Sequence, residues 1–195
     1  MNIILHRVNT IEMLKKTPTN LGVEIDIRSN GNILYLHHDP FIEGDLLDEW
    51  ISHFKHGTII LNVKEEGLED SIIHLMRKYN IDDYFFLDQS FPFLRKTSKQ
   101  GERRCAVRVS EYENIQTPLS LNGIVDWVWV DCFTKFPLDL NAFKMLKSAG
   151  YKLCFVSPEL QGFTDHSFVK KFRQEIDQLG IKGDAVCTKY PDLWA

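Results

Sequence analysis

The sequence predicts an α/β fold, a compact (βα)8 TIM barrel in a single domain spanning residues 1–195, and three observations carry that prediction. Eight short apolar runs alternate with longer amphipathic stretches, which is the rhythm of repeated strand–helix units with parallel strands. The spacing leaves little room for insertions, so the barrel would be small, near the lower end of roughly 200 residues for that fold. An Asn-Gly pair, Asn30-Gly31, lies between two extended runs and predicts a β-hairpin extension after the second strand. A doubly wound open sheet is the alternative arrangement of the same units.

The expected strands are residues 3–6, 23–28, 58–63, 84–88, 105–109, 127–131, 152–157 and 184–188. Residues 33–38 form the returning arm of the hairpin. Helical spacing of apolar positions predicts helices over 68–79, 138–148 and 166–179, with Gly150 as a stop signal after the second. Asp165 or Thr164 caps the third. Lys15-Lys16 and Lys170-Lys171 read as solvated helix faces.

Composition narrows the function classes. A net charge of -4 and a pI near 6.0 exclude the basic stripe of a nucleic-acid binder. The first apolar run, Ile3-Ile4-Leu5, is far short of a signal peptide's apolar region or a membrane span, so a cytoplasmic protein without a transmembrane segment is expected. Cys105, Cys132, Cys154 and Cys187 are widely separated with no CxxC spacing, which favours buried reduced thiols over a disulfide or a zinc site.

In a (βα)8 barrel the chemistry sits at the C-terminal ends of the strands. Those ends carry His6-Arg7, Glu24-Ile25-Asp26, Asn62-Val63-Lys64 and Asp131, and the hairpin returns with His37-His38-Asp39-Pro40. Glu24 and Asp26 are two apart on a strand and therefore share a face. Two such carboxylates repel unless one is protonated or a cation lies between them, and a hard ion such as Mg2+ or Ca2+ suits oxygen donors. Lys64, which shares a face with Asn62, could instead neutralise them in an ion-pair network without metal. His6 and His38 are imidazoles poised for proton transfer near neutral pH. Arg7 and Lys64 suit a phosphate anion.

His6-Arg7, then Glu24-x-Asp26, then an Asn-Gly turn and His38-Asp39-Pro40, in that order, resembles the glycerophosphodiester phosphodiesterase family. The wider superfamily includes phosphatidylinositol-specific phospholipases C and the sphingomyelinase D toxins. The match is dense over residues 3–64 and ends in a degraded Thr188-Lys189-Tyr190-Pro191. The resemblance implies a phosphoric diester hydrolase with His6 and His38 as the acid–base pair. Glu24, Asp26 and Asn62 would hold a divalent ion, Mg2+ or Ca2+, and Arg7 and Lys64 would hold the phosphate. Asn62 stands where the family usually has a third acidic ligand, which implies weaker metal binding. The insertion that often follows the hairpin in glycerol-cleaving members is essentially absent.

Trp129, Asp131 and Glu159 are candidates for the substrate pocket, with Trp129 an aromatic wall for a sugar or polyol; core or rim packing is the alternative for each. The expected partner is a glycerol-, polyol- or sugar-linked phosphodiester, free or as a lipid headgroup. No amphipathic basic helix suggests surface docking to a membrane. A barrel that binds a phosphorylated ligand without turnover, and a metal-dependent hydrolase of another bond, are the alternatives.

Overall fold

The computed structural model describes residues 1–195. They gather into two compact units, Leu5–Glu102 and Arg103–Ala195 with Met1–Ile4.

The unit Leu5–Glu102 is built on β2 (Gly22–Asn30). Alternate residues explain its position. Val23, Ile25 and Ile27 are fully buried on one face, while Glu24 and Asp26 are buried on the other. Strand β3 (Ile33–Leu36) pairs antiparallel with β2, and β4 (Asp45–Leu46) pairs antiparallel with β3. On the other side β5 (Ile59–Val63) is parallel to β2 and β6 (Tyr84–Leu87) is parallel to β5, with Asp26 opposite Asn62. The helices of this unit are α1 (Ile11–Lys16), α2 (Leu47–Ser52), α3 (Glu69–Lys78) and α4 (Phe91–Lys99). Its core includes Leu14, Trp50, Phe85 and Phe86, all without solvent exposure.

The other unit begins with most of β1 (Asn2–Leu5), whose Asn2 N–H donates to the Asp184 carbonyl at 2.8 Å. Its four parallel strands are β7 (Ala106–Val109), β8 (Trp127–Val130), β9 (Lys152–Val156) and β10 (Ala185–Thr188), hydrogen-bonded in that order. The helices are α5 (Gln116–Ser120), α6 (Leu140–Ser148) and α7 (His166–Gln178). In α7 the buried Val169, Phe172 and Ile176 follow helical spacing, and the Asp165 carboxylate caps the first turn through the Ser167 N–H.

Every expected strand is a strand, with ends displaced by one or two residues. The hairpin forms where the Asn-Gly pair predicts it. Asn30 pairs with Ile33, so the loop is Gly31-Asn32, within the expected stretch 29–32, and Gly31 takes the left-handed φ of +62° at its first position. Helices α4 and α5 and the short β4 have no counterpart in the sequence reading. All four cysteines are free and buried. No helix is long and apolar enough to cross a membrane.

A carboxylate fixes one loop of the second unit. Glu111 accepts from the N–H groups of Phe133, Thr134 and Lys135 at 3.1, 2.6 and 2.7 Å and from the Thr134 hydroxyl at 2.9 Å. Burial alone would raise its pKa, but the backbone donors, Lys135 foremost, outweigh it and hold the group at about 2 instead of 4.5. A depressed carboxylate pKa stabilises the fold above the unfolded value, and the stabilisation is lost as pH falls through the folded one. The difference in melting temperature between the wild type and Glu111→Gln should therefore be constant above pH 4.5 and shrink between 4.5 and 2. Thermal denaturation followed by circular dichroism across that range checks it, and a difference independent of pH would contradict it.

Candidate active site

The candidate site lies within the unit Leu5–Glu102. Its foundation is the pair Glu24 and Asp26, each 1% exposed, on the polar face of β2. Burial first, and then repulsion by Asp26, push the Glu24 carboxyl up to about 7; the Asn62 amide, the Arg7 N–H and the Lys64 charge restrain the rise. The Asn62 Nδ2 donates to Glu24 Oε1 at 2.9 Å, and the Arg7 N–H donates to Oε2 at 2.8 Å. The His6 Nε2 lies 3.9 Å from the same Oε2. Around Asp26, the Lys64 Nζ is 3.0 Å from Oδ1 and the Arg7 Nε is 3.8 Å from Oδ2. Lys64 also reaches within 4.0 Å of Asp88.

The segment after β1 that carries His6 and Arg7 is pinned residue by residue. The Val8 N–H donates to the Glu24 carbonyl at 2.8 Å, and the Val8 carbonyl accepts from the Trp50 indole at 3.0 Å. Asn9 makes a reciprocal pair with Asp26. Its Nδ2 donates to Asp26 Oδ2, and its Oδ1 accepts from the Asp26 N–H, both at 2.8 Å. Thr10 caps α1, and the Ile11 N–H donates to the Asp45 carboxylate at 2.6 Å. These bonds hold Arg7 at a left-handed φ of +59°, a strained conformation for a side chain of its size.

His38 stands on the loop after β3. Its Nδ1 is 2.8 Å from Asp39 Oδ1, so Asp39 orients the ring and leaves Nε2 for proton exchange. The His38 hydrogen bond lowers the Asp39 pKa, and the charges of His38, His37 and Arg7 act in the same direction. The adjacent His37 turns instead toward the backbone of Asp39. The structure thus gathers His6, Arg7, Glu24, Asp26, Asn62 and Lys64 in one network, while His38 is paired with Asp39, on which the charge of Arg7 also acts.

The three pocket candidates belong to the other unit. Trp129 is buried in β8. Asp131 is 3.4 Å from Arg108 and accepts from Gln161 at 2.6 Å and the Cys132 N–H at 3.0 Å. Burial raises its pKa. Glu159 accepts from the Ser157 hydroxyl, the Thr188 hydroxyl at 2.6 Å and the Lys189 N–H at 2.9 Å. Both oxygens of Glu159 therefore tie the ends of β9 and β10 together. Asn9 and Asp39 are site residues to which the sequence reading gave no role. Asp39 was visible as part of His38-Asp39-Pro40, whereas nothing in the sequence marks Asn9.

Two solved glycerophosphodiester phosphodiesterases resemble this chain along its length. That from Agrobacterium tumefaciens str. C58 superposes with a TM-score of 0.69 at 15% identity, covering 100% of this chain and 98% of that one. That from Parabacteroides distasonis ATCC 8503 also gives 0.69 at 15% identity, covering 98% and 84%. The fold is that of the glycerophosphodiester phosphodiesterases. It is the (βα)8 class that the sequence predicts. A tryptophan synthase α-subunit variant from Pyrococcus furiosus is more distant, at a TM-score of 0.50 and 10% identity over 96% of this chain and 86% of that one. No family model and no curated protein matches the sequence.

The metal that this phosphodiesterase fold implies can be tested against the residues present. Glu24, Asp26 and Asn62 offer only oxygen donors, which suits a hard divalent ion. The Asn62 Oδ1 is buried and accepts no hydrogen bond, so a carbonyl dipole there lacks the partner that burial calls for. The set contains no third carboxylate, and no group of three His, Cys, Asp or Glu side chains is assembled for a metal. The donors fit an ion held through two charges and one amide.

Asn9 should matter more for stability than its partial exposure suggests. Asn9→Ala leaves the buried N–H and one carboxylate oxygen of Asp26 without their partners, which costs about 1–3 kcal/mol. Urea denaturation checks this, and a loss below about 0.5 kcal/mol would show that the pair is dispensable.

Proposed function

We propose that the protein is a metal-assisted phosphodiesterase acting on a glycerol-, polyol- or sugar-linked phosphodiester, free or at a lipid headgroup. One observation carries the reading: His6, Arg7 and Lys64 surround a buried carboxylate pair beside an unpartnered Asn62 carbonyl. The phosphodiesterase fold supports it. The site residues all lie in one unit, and no membrane-crossing helix is present. We place the activity in the cytoplasm.

In this reading Arg7 and Lys64 bind the phosphate oxygens. His38, with its Nδ1 fixed by Asp39, takes a proton at Nε2 from a substrate hydroxyl next to the phosphate. That oxygen attacks phosphorus and the bond to the leaving oxygen breaks. His6, whose Nε2 lies 3.9 Å from Glu24 Oε2, gives the leaving oxygen a proton from that nitrogen. The cyclic phosphate is then opened by water with the histidine roles reversed, or released. A Mg2+ or Ca2+ ion held by Glu24, Asp26 and Asn62 would supply charge neutralisation on the phosphoryl oxygens.

The purified protein should release alcohol from a member of a panel of glycerophosphodiesters, which carry the hydroxyl next to the phosphate, with Mg2+ or Ca2+, and not with EDTA. His6→Ala and His38→Ala should each lower kcat by about 10²–10⁴ without loss of the fold. Full activity in both variants would remove the acid–base assignment. The closed Asn62–Glu24 bond and the missing third carboxylate favour, as a second reading, a barrel that binds a phosphorylated ligand without turnover. An inactive wild type that binds a phosphodiester would support that one.

Metal affinity gives a separate check. Asn62→Glu adds a charge to the donor set and should tighten divalent-ion binding in calorimetry. Unchanged or weaker binding would mean that residue 62 does not face the ion.

A further inference from the structure

Arg28 lies two residues beyond Asp26 on β2 and therefore on the same face as Glu24 and Asp26. Its side chain is only 12% exposed. The guanidinium grips one acceptor with two donors: Nε and Nη2 lie 3.3 and 2.8 Å from the carbonyl of His38. A rigid fork of this kind fixes direction as well as distance, which a flexible ammonium does not. The third nitrogen, Nη1, is 3.5 Å from Glu65 Oε1. Glu65 is itself held, because its Oε2 accepts from the Ser29 N–H at 3.1 Å and the Ser29 hydroxyl at 2.6 Å.

The loop around His38 has little else to hold it. The regular ladder between β2 and β3 closes at Leu36 opposite Ile27, and the His37 N–H adds one bond to the Asp26 carbonyl at 3.1 Å. The base of the loop is tied at Gly44, where a Cβ would come within 1.9 Å of the Leu36 carbonyl oxygen. Between those ties the loop is not packed. Arg28, Tyr35, Pro40, Ile42 and Glu65 line a cavity of about 530 Å3, and Phe41 is fully exposed. Packing therefore does not place His38, and the Arg28 fork does.

We propose that Arg28, braced by Glu65, is the positioning residue that sets the place of His38 at the candidate site. The proposal rests on the acid–base role given to His38 above. It links the chain segment of Lys64 to the loop of His38: Lys64 donates its N–H to the Ile27 carbonyl at 3.0 Å, and Glu65 follows directly. The phosphate-binding lysine and the proton-transferring imidazole would then be set by neighbouring residues of one network.

The test uses full-length protein with 13C-labelled histidine rings, as wild type, Arg28→Lys and Arg28→Met. In Arg28→Met the His38 Cε1–H resonance should move toward the shift of a free histidine and sharpen, while the other ring signals stay in place. On a substrate that the wild type cleaves, kcat should fall about 10- to 100-fold with KM within about twofold. Added guanidinium should restore part of the rate, and Arg28→Lys should lie between. An unchanged His38 resonance in both variants overturns the proposal. If the wild type cleaves nothing, the phosphodiesterase reading fails on its own, and the resonance still decides whether Arg28 positions His38. If Arg28→Met does not fold, Arg28→Lys and Glu65→Gln carry the same resonance test.

Discussion

Two carboxylates on one face of one strand, both stripped of water, are the constraint around which the candidate site is organised. Glu24 and Asp26 would each be costly to bury charged, and costlier still side by side. The protein offsets that cost with donors from three directions: the segment after β1, the neighbouring β5, and the residue beyond it. Arg7 and Asn9 come from the first, Asn62 from the second and Lys64 from the third. Each donor is ordered because the carboxylates need it. The position of His6 and Arg7 is thus a consequence of the electrostatics of β2.

Strain collects at the same place. Arg7, Phe41, Asn80 and Asp88 have left-handed φ values of +59°, +64°, +53° and +59°, all in the unit that holds the site; Arg7 and Asp88 follow strands, Phe41 lies on the loop after β3 and Asn80 follows α3. Such conformations cost of order 1–3 kcal/mol each and persist only where the surroundings impose them. For Arg7 the imposing bonds are visible, since its own N–H donates to the Glu24 carboxylate, the Val8 N–H donates to the Glu24 carbonyl, and the Val8 carbonyl accepts from the Trp50 indole. That arrangement turns a basic side chain toward Asp26 and trades conformational ease for a fixed location. The Arg28 fork on His38 applies the same logic to a loop whose underside is a cavity.

The alternating pattern made the strands legible, because β-branched and aromatic residues are concentrated where two faces are buried, as at Val23, Ile25 and Ile27. Glu24 and Asp26 were legible for the same reason, since charges at such positions demand an explanation. Asn9 and Arg28 were not. Their partners lie 17 and 10 residues away, and no local spacing encodes a bond of that kind. The hairpin turn was legible because a glycine at position 31 can take the positive φ that a tight turn needs. Glu159 has partners that spacing does not encode either. A carboxylate after a strand reads as a pocket group, yet its oxygens are occupied by Ser157, Thr188 and Lys189. Helix α4 escaped notice because its buried positions, Leu94 and Thr97, give only a short apolar stripe.

The most direct test of the account is a 13C-detected titration of the Glu24 side-chain carboxyl in chelator-treated protein, as wild type and Lys64→Met. The account predicts a midpoint near 7 in the wild type, and a higher one when the Lys64 charge is removed. A wild-type midpoint at the ordinary 4.5, unmoved by Lys64→Met, would mean that the carboxylate pair is neither desolvated nor coupled to its surroundings, and the site would lose its organising feature.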